Sequence, residues 1–130
     1  MDGVFEQRAA ICNIESINGV YGEALEQPVP VNGEGMVSGW RALVTSDGSL
    51  AGAWLRVRAG DGTIAFQAPL PAIEERPDVE ALTGQPVTRL SGFRNVAIRD
   101  LPAGTATLEI VLDAGDAWVR CAHVRTVVAE

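Results

Sequence analysis

Residues 51–68 alternate with a period of two, and that pattern constrains the fold more than any other feature of the chain. Ala53, Leu55 and Val57 fall on one side of an extended segment from Ala51 to Arg58, and Trp54, Arg56 and Arg58 on the other. A period of two belongs to a strand, because successive side chains of extended backbone point to opposite faces. Gly60-Asp61-Gly62 then supplies a tight turn, and Thr63 to Ala68 returns, with Ile64 and Phe66 expected inward. The same rhythm recurs along the chain. Ala9 to Ile17 reads as a strand with Ala10, Cys12 and Ile14 on one face, ended by the turn signal Asn18-Gly19. Gln27 to Val31 holds Pro28 and Pro30, so it is an extended edge or a loop. Gly35 to Thr45 carries Met36, Val37, Trp40 and Leu43 and turns at Asp47-Gly48. Gly92 to Ile98, Thr105 to Asp113 (Ala106, Leu108, Ile110 and Leu112 inward) and Ala117 to Val128 complete the set.

About seven strands at short spacing predict an all-β fold, an immunoglobulin-like two-sheet sandwich. Residues 69–90 break the rhythm. Pro69 and Pro71 exclude a central strand, and Arg76-Pro77-Asp78-Val79-Glu80-Ala81-Leu82-Thr83-Gly84 predicts one short helical turn near residues 77–83. Pro77 suits its first position and Gly84 its end.

The 130 residues read as a single domain, excised from a longer protein. The formal net charge is −7 and all ten basic residues are Arg. A compact acidic domain repels phosphate backbones and anionic lipid surfaces, which argues against nucleic acid as a partner and against binding to a membrane surface. No apolar run approaches the roughly 20 residues of a membrane span, so direct insertion is not expected. Cys12 and Cys121 lie in strand-like runs near the two ends. They read either as two buried thiols or as a disulfide joining first and last strands, which places the domain in an oxidising compartment.

Residue types suited to chemistry are sparse. His123 is the only histidine, and no Ser sits in a Gly-x-Ser-x-Gly elbow, so nucleophilic catalysis has little to use. One His and two distant Cys do not make a zinc set, and the turn residues Asp61, Asp113 and Asp116 lack calcium-loop spacing. Glu74 and Glu75 are adjacent on a Pro-flanked loop and point apart, unlike a glycosidase pair. The expectation is a protein that is not an enzyme and uses no cofactor or metal. The aromatic residues are more informative. Trp54 shares a strand face with Arg56 and Arg58. If that face meets solvent it is a platform for a sugar ring; if it is core, the arginines must snorkel. Trp40 is expected in the core, and Trp118, beside Asp116, is open to either environment. Arg76 and Asp78 bracket Pro77 and can fix that loop by charge-assisted hydrogen bonds, with a ligand role for Arg76 as the alternative.

The order Cys12-x-Ile14-x-Ser16-Ile17-Asn18-Gly19, Val37-Ser38-Gly39-Trp40, Ala53-Trp54-Leu55-Arg56-Val57, Arg76-Pro77-Asp78-Val79, Ser91-Gly92-Phe93, Leu101-Pro102-Ala103-Gly104-Thr105 and Cys121 resembles a bacterial immunoglobulin-like β-sandwich module. Such modules are found at the C-terminus of cell-envelope glycosyltransferase-like membrane proteins and on other sugar-processing proteins. The resemblance implies a periplasm-facing accessory domain of a membrane-anchored parent, and it favours a Cys12–Cys121 disulfide. It implies a module that binds carbohydrate, or alternatively one that docks on or spaces its parent membrane protein; it assigns no binding residues, and the candidates Trp54, Arg56, Arg58, Arg76 and Trp118 follow from the strand and loop pattern alone. Ala106 stands where such strands commonly carry Tyr, so a tyrosine corner is absent.

Overall fold

The structure is a computed structural model, and it describes residues 10–32, 34–43, 52–71, 74–78, 90–113, 118–121 and 124–129. These form eleven strands: β1 (Ala10–Ile17), β2 (Val20–Tyr21), β3 (Val29–Pro30), β4 (Gly35–Leu43), β5 (Gly52–Ala59), β6 (Ile64–Pro69), β7 (Glu74–Glu75), β8 (Leu90–Ile98), β9 (Gly104–Asp113), β10 (Trp118–Arg120) and β11 (Arg125–Ala129). Seven of them, β1, β4, β5, β6, β8, β9 and β11, have five residues or more. One sheet has the order β2-β1-β4-β8-β7. The other has the order β3-β11-β9-β5-β6, with β10 also on β9. The protein is an all-β sandwich, as the alternation predicts.

Local chemistry sets several of the joints. Asn18 (φ +51°) and Gly19 (φ +78°) are both left-handed. They connect Ile17 to its pairing partner Val20, which makes the Asn-Gly pair a type I′ hairpin turn. Val29–Pro30 pairs parallel to β11 at the sheet edge, where Pro28 and Pro30 forfeit no ladder donor that a further strand would need. A 3₁₀ turn over Gly22–Glu26, which the sequence did not signal, drops Leu25 into the core.

The core lies between the sheets. Cys12, Ile14, Ile17 and Val37 meet Ala53, Leu55, Val57, Ala106, Leu108, Ile110, Leu112, Val119 and Val127 across it, with Phe93 and Ile98 from β8. Cys12 and Cys121 form a disulfide, Cα–Cα 6.0 Å, that ties β1 in one sheet to the chain after β10 in the other. Arg125 adds a polar tie, donating from Nε to the Ile14 carbonyl at 3.2 Å and from Nη2 to Asn13 Oδ1 at 3.1 Å.

Two expectations need correction. Ile64 is 41% exposed rather than inward, because a bulge separates the pairs Val57↔Phe66 and Arg58↔Ile64 and turns Ile64 to the Arg58 side. The last strand is not continuous: β10 pairs with 111–113 and β11 with 104–108 of β9. Between them the β10–β11 segment spends two more residues than β9 does. Trp40 is buried as expected, and its pairing with Asn13 and Gly92 puts it on the face of β4 opposite Arg41 and Cys12, outside the inter-sheet cluster. Arg41 points inward instead and is buried; desolvation lowers its guanidinium pKa, and its Nε has no hydrogen-bond partner among the described residues. Pro77 and Asp78 have helical backbone, and the remainder of the helical turn expected near 77–83 lies outside the described residues.

Candidate functional site

The question left open for Trp54 is decided by β9. Strand β5 pairs with it in the register Trp54↔Val111, Leu55↔Ile110, Arg56↔Glu109, Val57↔Leu108. Leu55, Val57, Leu108 and Ile110 are fully buried between the sheets, so Trp54, Arg56, Arg58, Glu109 and Val111 occupy the outer face. On the far side of β9, β10 adds Trp118 opposite Asp113 and Arg120 opposite Val111.

Glu109 organises this face. Its carboxylate accepts from Arg56 Nε at 2.5 Å and from Arg58 Nη2 at 3.2 Å, and Arg120 Nε lies 3.4 Å from its other oxygen. Glu109 is 3% exposed and Arg56 4%, whereas Arg58 and Arg120 reach solvent. Three guanidinium groups on one carboxylate are held side by side, because charge-assisted bonds in a shielded setting are stronger than those between exposed pairs. Arg58 is fixed further by donating from Nη1 to the Gly62 carbonyl at 3.1 Å, in the hairpin that Asp61 braces. Asp61 Oδ1 accepts from the Thr63 hydroxyl at 2.6 Å and the Thr63 amide at 3.0 Å, and these bonds hold its pKa below the ordinary carboxylate value. Trp54 and Trp118 are half-buried on either side of β9, and the indole Nε1 of Trp54 has no hydrogen-bond partner among the described residues.

Four of the residues named from sequence, Trp54, Arg56, Arg58 and Trp118, therefore share one face. Glu109 and Arg120 were missed. The signal for Glu109 was a lone carboxylate within the apolar run Leu108–Leu112, an unfavourable place for a charge without a partner.

Arg76 stands on the other sheet. It donates to Asp78 from Nε (3.0 Å) and Nη2 (2.8 Å) and to Glu15 from Nη1 (2.6 Å) and Nη2 (3.1 Å). The Arg76–Asp78 bond across Pro77 is the loop clamp expected from the sequence. The two carboxylates raise the Arg76 pKa, the Asp78 bonds most. The clamp closes over a place where β4 is flanked by two bulges. Glu15 is an extra residue of β1 between the pairs Ile14↔Gly39 and Ser16↔Ser38. Asn95, with φ +52°, lies in an extra step of β8 between Val37↔Val96 and Gly39↔Phe93, and its amide donates to Ser38 Oγ at 2.9 Å. A Cβ on Gly39 would run into the Asn13 carbonyl. The Ser38-Gly39-Trp40 and Arg76-Pro77-Asp78 segments are thus explained by strand geometry and loop fixation.

Among the described residues no group of three or more His, Cys, Asp or Glu side chains could hold a metal ion, and no helix is long and apolar enough to cross a membrane. His123 and Asp116 lie outside the described residues. No family model matches the chain, and neither does any curated protein or solved structure.

Proposed function

We propose that this domain is a non-catalytic accessory module of a bacterial envelope polysaccharide or glycosyltransferase system, and that it binds carbohydrate on the outer face of the β3-β11-β9-β5-β6 sheet. The observation that carries the reading is the pair Trp54 and Trp118 beside three arginines held by Glu109. A sugar ring offers an apolar C–H face and a rim of hydroxyls. Indole rings suit the first, and the guanidinium groups of Arg58 and Arg120, which reach solvent while Glu109 holds them, suit the second. Donors already held in place lose little side-chain freedom on binding.

The setting supports the reading. The orders β1-β4-β8-β7 and β11-β9-β5-β6 correspond to A-B-E-D and G-F-C-C′ of an immunoglobulin-like sandwich. The Cys12–Cys121 disulfide suits an oxidising compartment such as the periplasm, although it ties β1 to the chain after β10 and not B to F. Calorimetric titration with envelope polysaccharide fragments tests the proposal. Binding that weakens at least roughly tenfold in Trp54→Ala supports it, taking as a guide the roughly 1–3 kcal/mol that an aromatic side chain contributes when a nucleobase stacks on it. Absence of binding, or binding indifferent to Trp54, overturns it.

One observation favours docking on a parent membrane protein instead. Among the described residues β6 pairs only with β5, and its six residues, IAFQAP, carry no charge. An uncharged edge is open to an added strand. Co-purification with the parent that is lost on Ala68→Lys, without any glycan affinity, is the outcome that selects this reading.

A further inference from the structure

The end of the sandwich holds a cleft of about 480 Å³ that neither tryptophan touches. Its size falls within the range of small-molecule sites. Val31 and Ile98, both fixed in the core, form an apolar floor, and Met36, 50% exposed, forms a wall. Asn18, Asn32, Glu34 and Arg99 supply the polar rim.

Three features distinguish this cleft from a chance depression. The β4–β8 ladder ends at Gly35↔Ile98, and Glu34 and Arg99, the next residue of each strand's chain beyond that pair, both line the cleft. Opposite charges at the ends of paired strands ordinarily attract, yet no ion pair joins these two across the cleft that both line. Left-handed backbone, a region that Asn and Asp tolerate, concentrates here as well. Asn18 and Asn32 (φ +51° and +42°) line the cleft, and Asp100 (φ +57°) follows Arg99. Gly35 keeps the space open: a Cβ there would lie 3.4 Å from Val31 Cγ1 and from Asn18 Oδ1. That oxygen is already committed to the Met36 amide at 2.8 Å, which leaves the Asn18 NH₂ as a donor.

We infer that this cleft is a second binding site, for a small zwitterion with an aliphatic body, the class of an apolar amino acid or dipeptide. The ligand carboxylate pairs with Arg99, in the fork geometry that a guanidinium favours. The ligand ammonium pairs with Glu34, and the aliphatic part rests on Val31, Ile98 and Met36. Among the described residues no aromatic side chain lines the cleft, which sets its chemistry apart from that of the carbohydrate face.

Titration of the whole chain with leucyl-leucine, followed by amide chemical shifts, tests the inference. Among the described residues, shifts confined to 18, 31, 32, 34–36 and 97–99 are expected. Affinity is expected to fall roughly tenfold or more for N-acetyl-leucine amide, which lacks both charges, and likewise in Arg99→Met and Glu34→Gln, as for loss of one charge-assisted bond. Gly35→Val, which fills the cleft, abolishes binding, and Trp54→Ala leaves it unchanged. No saturable binding to the wild-type chain, or equal affinity in Arg99→Met and Glu34→Gln, overturns the inference. Both charge variants alter exposed side chains, so the test does not depend on Gly35→Val folding.

Discussion

Glu109 is the residue on which the outer face of the second sheet depends. A buried carboxylate that loses its charge while three guanidinium groups remain deprives Arg56, 4% exposed, of the charged partner that its Nε binds. Breaking a buried pair from one side costs about 3–5 kcal/mol, although the partial exposure of Arg58 and Arg120 places this site at the lower end. Glu109→Gln is therefore expected to lower the unfolding free energy by about 3 kcal/mol, read as a lower urea midpoint at unchanged slope. A variant as stable as wild type would mean that the arginines find equal partners elsewhere. The Trp54, Arg56 and Arg58 face was legible from alternation within one strand. Their shared carboxylate was not, because Arg56 and Glu109 are 53 residues apart and meet only through the β5–β9 register.

At the scale of elements, strand positions followed from period-two patterning, and the departures from it lie at bulges. Ile64 carries the apolar character of an inward residue, yet one extra residue in β6 turns it outward. Nothing local to Thr63–Phe66 demands that bulge; it arises from how β6 fits β5. Opposite Ser38–Gly39, bulges in both β1 and β8 draw the strands together, and there a side chain has no room. Gly39→Ala is expected to destabilise the fold by roughly 2 kcal/mol, the usual cost of overpacking, and Ser38→Ala to cost less by removing only the bond to the Asn95 amide. A thermal melt of the two variants checks the order. The Arg76–Asp78 clamp was legible because its partners are two residues apart; the contribution of Glu15, 61 residues away, was not.

For the whole molecule, the largest constraint is the Cys12–Cys121 bond, which spans 109 residues and joins the two sheets. Closing a loop of that length removes chain entropy from the unfolded state worth about 4.7 kcal/mol in the loop-closure model, and measured losses on removal run about 2–5 kcal/mol. Guanidinium unfolding with and without dithiothreitol is expected to differ within that range, and coincident transitions would show that the bond adds nothing. The amino-acid sequence by itself determined the fold class, the main strand positions, the Asn18-Gly19 turn and the exclusion of Gln27–Val31 from the middle of a sheet. Each of these rests on the alternation, φ preference or missing N–H of residues that are neighbours in the chain. Only the tertiary structure decided which side of β5 is core, that Glu109 gathers three arginines, that Trp40 lies outside the inter-sheet cluster and that Glu34 and Arg99 border a common cleft. Those outcomes depend on register between distant strands, and a shift of one residue at a single bulge reverses the side to which every later residue points.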